Sequence, residues 1–241
     1  NNSNGQYWLG KMYYIGKYIN KDLKVAFGWF EKSAEKGNTN GQCWLGQMYY
    51  DGIGINKDLK VAFEWFEKSA NGGNIIAYIN LGNMYYHGKG TNQDLIKAFE
   101  WYEKSANEGN IDAQINLGYM YYDGEGTTQD FKKAFEWYEK SANGGNINAQ
   151  YSVGYMYYHG KGINKDYTKA FEWVEKNANQ GYVKAQYIVG NMYYNGEGIN
   201  QDYTKAFEWF KKSAIGGNVK AQSNLGMMYY NGKGTNQDFK K

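Results

Sequence analysis

The sequence has no arginine and no proline, and its one cysteine is Cys43. A lone cysteine cannot close an internal disulfide, so a small scaffold stapled by disulfides is excluded. All 27 cations are lysines, set against 24 carboxylates for a formal charge of +3. Nucleic-acid binding usually needs a basic stripe, and arginine is the preferred bidentate reader of phosphate and guanine. A near-neutral chain without arginine is a poor candidate, and no nucleic-acid partner is expected. No window reaches the ~18 consecutive apolar residues of a membrane span, and no apolar signal core opens the chain. A soluble chain is therefore expected, cytoplasmic or secreted. It opens on Asn1 rather than Met, as a processed or trimmed product would.

What the sequence does have is aromatic surface to bury. Aromatics make up 19% of the chain, with 26 Tyr and 8 Trp, and hydrophobic residues make up 42%. That is too much apolar surface for a disordered chain, so a packed core is expected. It is distributed by a strict repeat. Leu-Gly or Val-Gly followed by x-Met-Tyr-Tyr recurs with its glycine at Gly10, Gly46, Gly82, Gly118, Gly154, Gly190 and Gly226, always 36 residues apart. Each copy continues through a turn, usually Gly-x-Gly, then an Asp and a Lys/Val-Ala-Phe-x-Trp segment.

The fourth copy shows how one repeat should fold. Asn110 can N-cap a first helix running to about Asp123, where Gly124 ends it in the left-handed conformation. Asp130 is placed to cap a second helix from Phe131 to about Asn143, ended by Gly144 and Gly145. At 100° per residue, Ala113, Leu117, Met120 and Tyr121 share the inner face of the first helix. Phe131, Ala134, Phe135, Tyr138, Ser141 and Ala142 form the apolar arc of the second, with Lys132, Glu136, Lys140 and Asn143 opposite. Glu136 and Lys140 are spaced to pair on that solvated face. One helix pair cannot bury both arcs, so repeats must stack on one another. The expected fold is all-α: a right-handed superhelical solenoid of antiparallel helix pairs, with residues 1–241 as one domain of seven repeats.

The pattern Ala113, Leu117, Gly118, Met120, Tyr121, Gly124, Gly126, Asp130, Lys133, Ala134, Trp137, Lys140, Ala142 and Gly145 resembles the Sel-one-like repeat family, a branch of the tetratricopeptide-like repeats. The match runs over nearly the whole chain. Repeat one departs from it with Tyr18 at the second turn glycine, Gly28 at the exposed Glu and Gly41 where Ala usually stands. Repeat seven stops at Lys241, shortly after its presumed cap Asp238. Without a second helix there, Leu225, Met228 and Tyr229 are expected to have half their cover. The resemblance implies a non-catalytic scaffold or adaptor whose first helices line a concave face and hold a protein or peptide.

The outward positions of the first helix in repeat four are Asp112, Ile115, Asn116, Tyr119, Tyr122 and Asp123. The register of Tyr119 varies along the chain as Lys11, Gln47, Asn83, Tyr119, Tyr155, Asn191 and Met227, while the inner Met and Tyr stay fixed. Tyr119, Tyr122, Tyr151, Tyr155, Tyr158 and Tyr187, with Asn191, form the candidate partner-binding surface through repeats four to six. Tyrosine suits this role, as a rigid ring with a polar handle. The second Tyr of each pair can equally pack against the next repeat, and the sequence leaves both uses open.

Other motifs have simpler accounts. The histidines His87 and His159 fall two repeats apart, too far to share a metal, and no cofactor or metal site is expected. Asp123-Gly124-Glu125-Gly126 lacks the ligand spacing of a calcium loop. The glycine turns follow no strand and lack the Gly-Lys-Ser/Thr ending of a phosphate loop. Ser33-Ala34-Glu35-Lys36 matches Ser-x-x-Lys, but its companions Ser-Asp-Asn and Lys-Thr-Gly are absent. No catalytic residues emerge. The competing reading is a structural protein that self-associates head to tail.

Overall fold

A computed structural model describes residues 2–237; the presumed cap Asp238 lies outside the described residues. Among these, every regular element is a helix. The chain divides into two compact units, residues 1–129 and 130–241. The first contains α1 (Ser3–Ile15), α2 (Leu23–Glu35), α3 (Thr39–Asp51), α4 (Leu59–Asn71), α5 (Ile75–His87), α6 (Leu95–Asn107) and α7 (Ile111–Asp123). The second contains α8 (Phe131–Asn143), α9 (Ile147–His159), α10 (Tyr167–Asn179), α11 (Val183–Asn195), α12 (Tyr203–Ile215) and α13 (Val219–Asn231). Within each unit every helix packs on the next one in the chain. The fold is an all-α solenoid of consecutively packed helix pairs.

The helix bounds follow from the caps. An Asp carboxylate accepts from the first-turn amides of each second helix, as Asp130 does from Lys133 N at 3.0 Å. An Asn opens the first helices, as Asn110 does at α7, with one exception at Tyr182, whose side chain caps nothing. Gly124 ends α7 at φ 75°, a left-handed conformation that glycine adopts without steric penalty. Both helices of repeat four therefore begin and end where the residues predict.

At Gly10, Gly46, Gly82, Gly154 and Gly190 the glycine of the Leu/Val-Gly pair makes room for a side chain of the paired helix. A Cβ at Gly82 would stand 2.5 Å from the Tyr102 ring, and one at Gly190 would stand 2.7 Å from Phe210. The first Tyr of each pair meets the Phe of the preceding second helix edge to face, as in Phe63–Tyr85 at 5.2 Å and Phe171–Tyr193 at 5.8 Å. A ladder of buried hydroxyls runs beside these rings. Ser33, Ser69 and Ser213 donate to the carbonyls of Ser3, Thr39 and Val183 at 2.7–2.8 Å. Asn177 takes the same place and donates to Ile147 O.

Four details depart from the sequence reading. Ile115, placed outward by the helical wheel, is buried. A first helix packs on the second helix before it as well as on its own, as α5 does on α4 and α6, so its buried arc is wider than a one-sided wheel allows. Lys140 lies over the Trp137 ring at 3.9 Å rather than pairing with Glu136. Met228 is 1% exposed, covered within the Ala206–Phe207–Phe210 cluster despite the expected half-cover. Gly41 belongs to α3, so that departure sits in the second repeat; Tyr18 holds φ 69° on the surface.

Candidate functional site

In the second unit, α9, α11 and the start of α13 enclose a groove of about 660 Å³. Five of the expected binding residues line it: Tyr151, Tyr155 and Tyr158 from α9, and Tyr187 and Asn191 from α11. Tyr151 tilts against Tyr155 at 6.1 Å and against Tyr182 at 5.1 Å. Tyr155 lies 4.2 Å from the His159 ring. Tyr187 rests on Phe210 at 6.0 Å, and Asn191 accepts from Asn224 Nδ2 at 3.3 Å. These rings are supported from behind and half-open in front, which limits the conformational entropy that a ligand must freeze.

Tyr158 also has an internal role. Its hydroxyl donates to Glu197 at 2.6 Å, in the turn of the next repeat, and its ring meets Tyr167 at 5.3 Å. Burial and the bond to the Glu197 carboxylate push its pKa upward. The same clasp joins Tyr86 to Glu125, while Tyr50 and Tyr194 accept from Lys89 and Lys233. The acidic turn at Glu125 is thus part of a repeat-to-repeat contact.

Tyr119 and Tyr122 belong to the first unit. Tyr119 is 40% exposed and borders a smaller hollow of about 230 Å³ with Asn83, Tyr86, His87, Tyr102 and Asn116. Tyr122 is half-buried, and its carbonyl accepts from Gln129 Nε2 at 2.8 Å.

The groove also contains residues that the sequence had not assigned to the binding surface: His159, Lys184 and Lys220. The lysines share the outward register of Asp112, which reads Asn40, Ile76, Asp112, Asn148, Lys184 and Lys220 along the chain. The change of that register to lysine in α11 and α13 is the sequence signal for them. His159 is held below the usual imidazole pKa by burial first, then by Lys161, Lys165 and Lys220 acting against Glu197.

Among the described residues no group of three His, Cys, Asp or Glu side chains is placed to hold a metal ion. Ser33 is fully buried in the hydroxyl ladder, with no access for a substrate. No helix there is long and apolar enough to cross a membrane.

The Sel1 repeat model matches residues 3–38, 39–74, 75–110, 111–146, 147–182, 183–218 and 219–241. The first six intervals each hold one helix pair, and the seventh holds α13. A Sel1 repeat protein from Oxalobacter formigenes is similar in structure, with a TM-score of 0.83 and 29% identity over 99% of this chain and 93% of that one. A protective antigen of uropathogenic Escherichia coli, described as displaying an SLR fold, is similar with a TM-score of 0.88 and 35% identity. That match covers 99% of this chain and 51% of the antigen, so the chain spans about half the antigen's length. Comparison with curated proteins gave no match. With seven matches in register on a stack of matching helix pairs, the chain belongs to the Sel1 repeat family, whose members are generally non-catalytic protein-interaction scaffolds.

Proposed function

We propose that the chain is a scaffold or adaptor that holds a peptide or protein segment along its first-helix face, with the α9–α11–α13 groove as the principal docking site. The observation that carries this reading is the convergence of Tyr151, Tyr155, Tyr187 and Asn191 on one open groove. Their registers vary from repeat to repeat, whereas the inner Met and the Tyr that follows it do not. Half-exposed tyrosines offer large contact area at little entropic cost, and a concave aromatic surface with a few polar groups is the usual form of a binding site. Tyr119 and Tyr122 are proposed as further contacts on the first unit.

The test is panning of a random-peptide library on the intact chain, followed by binding to a Tyr155→Ala/Asn191→Ala variant. Neither side chain is in the fully buried core, so the melting temperature is expected to stay within a few degrees of wild type. Selected peptides should bind the variant at least about tenfold more weakly, as truncation of an interface anchor does. Equal binding by a variant of native stability would place the docking surface elsewhere.

A further inference from the structure

The charge in the groove is one-sided. Lys184 and Lys220 line it, and among the described residues no carboxylate does. The chain as a whole is only +3, so this excess is local. Among the described residues neither lysine forms an ion pair. Glu197, whose charge acts on His159, accepts from the Tyr158 hydroxyl at 2.6 Å.

The placement of these lysines is also locally unfavourable. Lys184 and Lys220 are the second residues of α11 and α13, at the helix end where the backbone dipole favours anions and disfavours cations. The same register carries Asp112 in α7 and neutral residues in α3, α5 and α9. Lysine also stands second in α2, α4 and α8, as Lys24, Lys60 and Lys132, so the position alone marks nothing; what sets Lys184 and Lys220 apart is that both stand beside the same aromatic groove. The lowered pKa of His159, with Lys220 among its causes, agrees with a positive field there.

Resting on the peptide-docking reading above, we propose that the occupant is an acidic peptide segment whose aspartate or glutamate side chains face Lys184 and Lys220 while interspersed apolar or aromatic side chains lie on Tyr155 and Tyr187. Exposed ion pairs are weak in bulk solvent, but ring surfaces that displace water raise their contribution and make them a determinant of partner choice. Single-stranded nucleic acid offers anions and stackable bases too. The near-neutral chain without arginine favours the peptide.

Fluorescence anisotropy on the intact chain tests this with three labelled octapeptides, alternating tyrosine with glutamate, glutamine or lysine, and an oligothymidylate of equal length. The glutamate peptide is expected to bind about tenfold or more tighter than the glutamine peptide, with the advantage shrinking as salt rises from about 50 to about 500 mM. Both lysines are exposed and a carboxylate suits a helix N-terminus, so Lys184→Glu/Lys220→Glu should melt no lower than wild type while reversing the order of the glutamate and lysine peptides. If the glutamine peptide binds as well as the glutamate one and loses affinity in the Tyr155→Ala/Asn191→Ala variant, the docking reading stands and the acidic preference is wrong. If the charge-reversed variant keeps wild-type affinity for the glutamate peptide, or the oligonucleotide binds more tightly than any peptide, the inference is overturned. Absence of binding by all three peptides, together with a library panning that yields nothing, would overturn both.

Discussion

Cys43 sits among the side chains of Ala62, Phe66 and Ala70, 6% exposed. Burial pushes its thiol up to about 12, against a smaller lowering effect of the Ser69 hydroxyl. The thiolate is the reactive form, so at pH 8 only about one thiol in ten thousand is ionised in the fold, against roughly a quarter in an unfolded chain. Native protein is therefore expected to react with a chromogenic disulfide reagent about a thousandfold more slowly than protein in denaturant. Native reaction at the denatured rate would mean that the α3–α4 contact opens readily. At this scale the sequence is legible where a residue type repeats. Ser33 reads as a possible nucleophile in isolation, yet Ser69, Ser105, Ser141 and Ser213 at the same register identify a buried ladder. Ile115 reads wrongly because burial depends on both neighbouring helices, and a wheel drawn for one helix contains neither.

Helix boundaries are almost wholly written in the caps, because a cap is a local interaction between a side chain and amides two or three residues away. Tyr182 is the informative exception. Six first helices open on Asn, whereas α11 opens on Tyr182, whose side chain contributes a ring to Tyr151 and no capping hydrogen bond to its own helix. Comparing Tyr182→Asn with Tyr182→Ala separates the two effects, since both lose the ring and only one restores the cap. The Asn variant is expected to be more stable than the Ala variant by about 1 kcal/mol in urea denaturation. Equal stability would show that the α11 amides are satisfied without a cap. The tyrosine clasps were not legible in this way. Tyr86 and its partner Glu125 are 39 residues apart, and the partner changes to lysine at Lys89 and Lys233. A phenol can donate to a carboxylate or accept from an ammonium, so the contact persists while the motif that would reveal it does not.

At the scale of the molecule, a stack of repeats owes its stability to each repeat and its immediate neighbours. Such stacks can also associate with copies of themselves, and α13 tests whether this one does. Met228 is committed to the interior and Tyr229 packs on Phe207 at 5.2 Å, so neither is available to a second copy without disturbing the fold. Besides Val219 at its start, the large apolar side chains that α13 presents to solvent are Met227 and Tyr230, 59% and 63% exposed. Single apolar residues on a surface are ordinary, and two of them fall well short of the area that a stable protein interface buries. Light scattering is therefore expected to give a constant mass near 27.7 kDa across a wide concentration range. Mass that grows with concentration, and returns to the monomer value in Met227→Lys/Tyr230→Lys, would show head-to-tail contact through this helix. Because such a contact does not close on itself, filaments rather than dimers would then be the species to look for. The tyrosine groove would in that event lie on the wall of an assembly and present one copy of its charge pattern per subunit.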